Sequence, residues 1–186
     1  MKIVIDHQKF TEQKYGGITR YLSCLAFEIN KLNHDIKIVA PLYINKYLTH
    51  LPKKIVTGFH FKFTNSHLTK VLGLSNNFLS QLIIKKYNPD VIHESYYTEH
   101  PTIKSSQPRV ITVHDMIHER FPNEFQNDDT IKLKKKSLAR AEHIIAISNN
   151  TKKDLMEFYN INESKITTIY HGPTSNLIDI NSEIRK

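Results

Sequence analysis

The stretch HIIAISNNTKKDLMEFYNINESKITTI, His143–Ile169, decides how the whole chain is read. His143–Ile147 is a short run rich in isoleucine without strict polar alternation, as a strand covered on both faces requires. Ser148–Asn149–Asn150 then offers side-chain oxygens to the open amides of a helix start. Asn150–Tyr159 follows as that helix, and Lys165–Ile169 returns as a second buried strand. Strand, helix and strand in this order make a βαβ unit, whose two strands lie parallel.

The same grammar extends outward in both directions. Lys2–Asp6 (KIVID), Asp35–Pro41 (DIKIVAP, closed by proline), Asp90–His93 and Val110–His114 read as further buried strands. Gly17–Leu32 places Ile18, Tyr21, Leu22, Leu25, Ile29 and Leu32 on one helical stripe. Leu68–Tyr87 and Thr130–Ala141 are the other helices, while Lys53–Thr64 reads as a strand plus irregular chain. No internal repeat or low-complexity segment interrupts the pattern. The fold class expected is α/β: a Rossmann-like doubly wound, mainly parallel sheet with helices on both faces.

Composition bounds what such a fold can be. The 186 residues, 39% hydrophobic and 24% charged, suit one ordinary domain rather than a disordered chain. The single cysteine, Cys24, excludes an intramolecular disulfide framework and a cysteine-built zinc cage. No run approaches the roughly eighteen apolar residues of a membrane span, and Asp6 and His7 interrupt the N-terminus before a signal-peptide core could form. The chain therefore reads as soluble and cytoplasmic. Its net charge of +8 is carried by short lysine clusters: Lys53–Lys54, Lys85–Lys86, Lys132 with Lys134–Lys136, and Lys152–Lys153. These are either solvated helix faces or an attraction to anions such as phosphates, an anionic bilayer or nucleic acid. No basic–aromatic stripe or helix-turn-helix signature is present, so nucleic acid is not the expected partner.

In an open parallel sheet, ligands collect beyond the carboxyl ends of the strands. Those ends are Asp6–His7, His93–Glu94, His114–Asp115 and Ser148–Asn149. Each histidine alone reads as a hydrogen-bonded turn residue; the constellation is what points to a site. Ten residues separate Asp6 from Gly17, and neither G-x-G-x-x-G nor G-x-x-x-x-G-K-[ST] occurs, so a dinucleotide cofactor and a Walker-type site are not expected. The pair Gly16–Gly17 opens a helix and would let backbone amides approach a phosphate, although glycine pairs are also common turn formers. In VITVHDMIHERFPNEF, Val110–Phe125, His114-Asp115-x-x-His118 resembles half of a metalloprotease motif. His114 ends a strand and Pro122 follows closely, so the two histidines do not share a helical face, and no metal is expected. His114, Asp115, His118, Glu119 and Arg120 suit a polyhydroxylated substrate held by directional hydrogen bonds; Glu119 and Arg120 could equally pair with each other.

YGGITRY, DVIHESYY, VITVHDMIHERFP, ARAEHIIAISNNTKKDL and KITTIYHGP follow one another along the chain. In that order they resemble the N-terminal domain of the family 4 retaining glycosyltransferases of the GT-B fold, from Met1 to about Pro173. The resemblance implies transfer of a sugar from a nucleotide sugar to a saccharide or lipid-linked acceptor, in making cell-surface polysaccharide or glycolipid. It implies front-face attack through an oxocarbenium-like transition state, with no cofactor beyond the donor substrate. It assigns His114, followed by Asp115, to the reacting centre. Gly16 and Gly17 are assigned to the donor diphosphate, and Ser148 and Asn149 to the donor-side cleft edge. The acceptor would meet His7, Tyr15, Arg20, His93, Glu94, Tyr96 and His118.

The family also places an Arg and Lys pair and two glutamates in E-x7-E spacing in a second domain. No two glutamates of this chain stand at that spacing. The expectation is therefore an acceptor-side domain over residues 1–173, a linker or tail over 174–186, and a donor-binding domain missing in cis or trans. Alone, the chain would transfer negligibly. The alternative is a non-catalytic carbohydrate- or partner-binding module, or one chain of a split enzyme. Docking on an anionic membrane surface would use Tyr43, Tyr47 and Leu48 near Lys46, or the four lysines of Ile131–Leu138.

Overall fold

The computed structural model describes residues 1–62 and 66–172. The expected linker or tail at 174–186 lies outside the described residues, as does the end of the ambiguous segment at 63–64. The described chain falls into two compact units. One is Met1–Ser95 with Thr102–Gln107; the other is Tyr96–Pro101 with Pro108–Gly172.

In the first unit four parallel strands run in the order β3 (Val56–His60), β2 (Asp35–Tyr43), β1 (Lys2–Ile5), β4 (Val91–Glu94). Ile3 of β1 stands opposite Ile36 on one side and Val91 on the other. Side chains alternate across this layer, as strand geometry demands. Ile3, Ile5, Ile36 and Ile38 pack with Leu22 and Ala26 of helix α2 (Gly17–Lys31). Val4, Val39 and Ile92 face the other way and pack with Ile84 of helix α3 (Ser66–Tyr87) and with Ile103. Helices thus cover both faces, and the near-continuous apolar strands are explained.

Two local departures from expectation have clear causes. A short helix α1 (Gln8–Glu12) fills the connection expected to be a loop after β1. Strand β2 does not stop at Pro41 but bends through it, with a register shift between Val39 and Leu42. Proline tolerates such a bulge because no ladder amide is needed there. The Asn76 side chain of α3 takes over for the partner strand: its Oδ1 accepts from the Leu42 amide at 2.7 Å, and its Nδ2 donates to the Leu42 carbonyl at 2.7 Å. Beside the bulge, Gly58 has φ +151°, and a Cβ there would meet the Ala40 carbonyl oxygen at 1.7 Å. Only glycine fits.

The second unit has three parallel strands in the order β5 (Arg109–Val113), β6 (His143–Ala146), β7 (Ile166–Thr168). Val113 pairs with Ala146, and Ala146 with Thr168. Ile111, Val113, Ile144 and Ile166 build the core with Leu138 of helix α5 (Thr130–Arg140) and Leu155 of helix α6 (Asn149–Tyr159). A four-residue helix α4 (Ile117–Arg120) sits between β5 and α5. The expected βαβ unit is β6–α6–β7, with Lys165 in a short turn before β7. The chain has the expected Rossmann-like α/β fold.

Candidate functional site

At the end of β1 the Asp6 carboxylate is fully occupied. Its Oδ1 accepts from the Ser95 amide at 2.9 Å and from the Ser95 hydroxyl, and its Oδ2 accepts from the Thr102 hydroxyl at 2.6 Å. His7 is buried, with Nε2 3.0 Å from Asn77 Oδ1. Burial pushes its pKa down against the pull of Asp6, so the ring is neutral. Its Nδ1 is buried with no hydrogen-bond partner among the described residues. His93 and Glu94 on β4 are likewise buried. Of the acceptor candidates in this unit, Tyr15 and Arg20 are the ones with substantial surface.

Gly16 and Gly17 open α2 as expected. Gly16 is the N-cap with extended backbone, no side chain caps the helix, and its first turn carries no acidic residue. A Cβ on Gly17 would meet nothing within 4 Å, whereas one on Gly16 would run into the Gln13 side chain at 2.2 Å. The preceding loop is pinned: Asn45 Nδ2 donates to the Gln13 carbonyl at 2.8 Å, and the Lys46 amide to the Lys14 carbonyl at 2.9 Å. Tyr15 rests edge-on against Tyr47, ring centroids 5.8 Å apart. The first amides of α2 thus have no side-chain cap.

In the second unit, His114 lies one residue past β5. Its ring stands 5.4 Å from that of His171, centroid to centroid. Burial, then the neighbouring His171, push its pKa down to about 4, against an opposing pull from Asp115. His171 is also lowered, by burial. Two neutral imidazoles thus sit beyond the strand ends at pH 7. His171 was not among the expected site residues; it lies three residues past the end of β7. Asp115 is exposed, and its Oδ1 accepts from the Ile117 amide at 3.2 Å, opening α4. Tyr96 belongs to this unit and packs on Tyr97 at 4.4 Å.

The rest of the HDMIHER loop is tied into the unit. His118 stacks on Phe125 at 4.2 Å and faces Asp128, Nε2 to Oδ2 3.4 Å. Glu119 and Arg120 do not pair with each other. Glu119 turns inward to Lys134, at 2.9 Å, and to the Tyr159 hydroxyl. Arg120 reaches Asp154 of α6, Nε to Oδ2 2.8 Å. Ser148 caps α6: its Oγ accepts from the Thr151 amide at 3.1 Å, while Asn149 beside it is exposed. Among the described residues no group of three histidine, cysteine or acidic side chains could hold a metal ion.

One of the two expected docking patches is corrected. Tyr43 and Leu48 lie inside the core of the first unit. In the other, Ile131–Leu138, Lys132, Lys135 and Lys136 are exposed, while Lys134 is buried on the inward stripe of α5. No helix among the described residues is long and apolar enough to cross a membrane.

A family model for Glycosyltransferase Family 4 matches residues 15–173. The O-antigen chain mannosyltransferase RfbU of Salmonella typhimurium is 32% identical over 76 residues, covering 40% of this chain and 22% of that protein. Among solved structures, the sucrose-phosphate synthase of Thermosynechococcus elongatus superposes with a TM-score of 0.66 at 11% identity, covering 100% of this chain and 53% of that one. A glycosyltransferase of Rickettsia africae gives 0.52 at 20% identity, covering 99% and 49%. At such identities these two likenesses speak to fold. The chain spans about half the length of both solved structures. With the match running from the Tyr15 loop through α2, the His114 turn and the capped α6 to the end of β7, this chain belongs to Glycosyltransferase Family 4.

Proposed function

We propose that this chain is the acceptor-side half of a retaining glycosyltransferase acting in cell-surface polysaccharide or glycolipid synthesis. It would move a sugar from a nucleotide sugar to a saccharide or lipid-linked acceptor. The observation that carries this reading is His114, a half-buried, neutral imidazole just beyond β5 inside the family match. A neutral imidazole offers one N–H donor and one acceptor nitrogen, which suits the hydroxyls of a sugar ring.

In the transfer, the bond from the anomeric carbon to the diphosphate oxygen breaks. The acceptor hydroxyl oxygen bonds to that carbon, and its proton leaves with the diphosphate. Negative charge grows on the departing group, where the uncapped α2 terminus at Gly16–Gly17 would stabilise it. Asp115, Ser148 and Asn149 would line the donor side. The acceptor would meet Tyr15 and Arg20, and His7, His93, Glu94, Tyr96 and His118 are its further proposed contacts. No further cofactor is called for. Remaining donor contacts would come from a second domain in cis or trans, so the chain alone should transfer poorly.

The test is transfer from a panel of nucleotide sugars to lipid-linked saccharide acceptors, with the second domain supplied and the product anomer read by NMR. Transfer with retained configuration supports the reading. Saccharide binding without any transfer would replace it with the non-catalytic binding module.

One observation favours a station at the inner face of the cytoplasmic membrane. Leu74, Phe78 and Leu82 of α3 are exposed at four-residue spacing, and Lys85 and Lys86 close the helix. The helix contains no acidic residue. Such a face suits an anionic bilayer, which takes up apolar side chains and attracts lysines. Flotation with anionic vesicles but not zwitterionic ones is expected, and equal partitioning would refute it.

A further inference from the structure

Helix α5 turns Thr130, Lys134, Ser137 and Leu138 inward. Lysine on that stripe is unusual, since a buried ammonium needs partners for its three N–H donors. The Lys134 side chain is 1% exposed and that of Glu119 3%. Lys134 Nζ donates to Glu119 Oε2 at 2.9 Å and to the Asp115 carbonyl at 3.0 Å, and lies 3.8 Å from Met116 Sδ. Its charge also sits 5.2 Å from the centre of the Tyr97 ring. The second oxygen of Glu119 accepts from the Tyr159 hydroxyl.

A buried ion pair is a weak source of net stability, because desolvating two charges costs about as much as their attraction returns. Packing an apolar pair of similar volume would serve a core equally well. The distinctive contact is therefore the one outside the pair. Lys134 grips the carbonyl of Asp115, the peptide directly after His114. From the other side the Asp115 carboxylate takes the Ile117 amide. The same helix holds a second loop: the Thr98 amide donates to Ser137 Oγ at 3.0 Å, and Arg140 donates to the Thr98 carbonyl at 2.8 Å.

We propose that Lys134 is a positioning residue for the His114–Asp115 turn. Its Nζ holds the Asp115 carbonyl, and Glu119 is its partner inside the unit. Loss of the grip frees the turn and lets the His114 ring leave its place beside His171. The purpose of the device, though not the device itself, rests on the sugar-transfer reading above.

The test uses Lys134→Met and the double variant Lys134→Met with Glu119→Gln. The single change strands a buried carboxylate and lowers the thermal midpoint. The double change removes both charges together and recovers most of the midpoint, yet the Asp115 carbonyl is still without its ammonium. In the double variant the His114 titration, followed by NMR, is expected to move up by about one unit toward its ordinary value. His171 and Asp115, the ionisable neighbours that His114 faces, are unaltered in both proteins. Turnover should fall by roughly 10- to 100-fold with KM little changed, as for a displaced reacting group.

A double variant with the parent's His114 titration would overturn the proposal, leaving Lys134 as a counter-ion alone. A double variant that does not fold would overturn it too, since the pair would then be a folding requirement. Absence of transfer by the parent with the second domain supplied sinks the sugar-transfer reading and leaves the titration result standing.

Discussion

The carboxyl ends of β1 and β5 carry the same two residue types in opposite order, Asp6–His7 and His114–Asp115, and the fold uses them in opposite ways. At β1 the carboxylate is buried and takes hydrogen bonds from Ser95 and Thr102, and His7 is packed beneath Asn77. At β5 the carboxylate is exposed and serves a local turn, while the half-buried imidazole meets a second one. A polar strand tip is therefore ambiguous until its partners are known. Where distant backbone and hydroxyl donors converge, the tip is mortar. At β5 the Asp115 carboxylate meets an amide two residues on, so that tip is shaped locally instead.

That contrast can be broken by experiment, and the largest effect belongs to Asp6. Asp6→Ala strands the Ser95 amide and two hydroxyls in a buried place and should cost about 3–4 kcal/mol in urea unfolding, with the His114 spectrum unmoved. A loss below about 1 kcal/mol would mean that Asp6 is not mortar. His114→Ala should do the reverse. With the second domain supplied, turnover should drop by about 100-fold or more, near 3 kcal/mol in the barrier, with an unchanged thermal midpoint. Near-normal turnover would remove His114 from the reacting centre.

A third effect separates the tips by pH. Both histidines have folded pKa values below the ordinary one near 6.5, so the unfolded chain binds their protons first. Their contribution is fully present above about pH 6.5 and is lost as pH falls through the folded values. For His114 the window closes near pH 4, and the loss should reach roughly 2–3 kcal/mol. His114→Gln should flatten that part of the stability profile; an unchanged slope would assign it to His7. The smallest effect sharpens the donor side. Ser148→Ala should cost about 1 kcal/mol as a lost helix cap. If nucleotide affinity is unchanged as well, Ser148 is a cap and nothing more.

The βαβ grammar was legible because strands buried on both faces must be apolar throughout, and their boundaries moved by one or two residues. Helices α1 and α4 were not legible: five and four residues are too few to display a helical period. Pro41 looked like a stop, and only the distant Asn76 turns it into a bend. The His114 turn was legible as chemistry, from residue types at a strand end. His171 was not, since its pairing depends on β7 lying beside β6. Lys134 looked like one more surface lysine. The clue was its register with Thr130, Ser137 and Leu138, a polar residue on a stripe that should be apolar.

The interleaving of the two units has a consequence for how the chain is born. The first unit is not complete when Ser95 is made, because Thr102 and Ile103, which complete the Asp6 bonds and the core under α3, come only after a six-residue excursion through the other unit. On the ribosome, β1 must wait for a segment nearly a hundred positions downstream before its buried carboxylate is satisfied. Contacts of such separation form late, so the nascent first unit passes through a stage in which Asp6 still lacks its Thr102 donor. Dissecting the chain by a single cut after residue 95 would trap it there; a fragment ending after Gln107 would not.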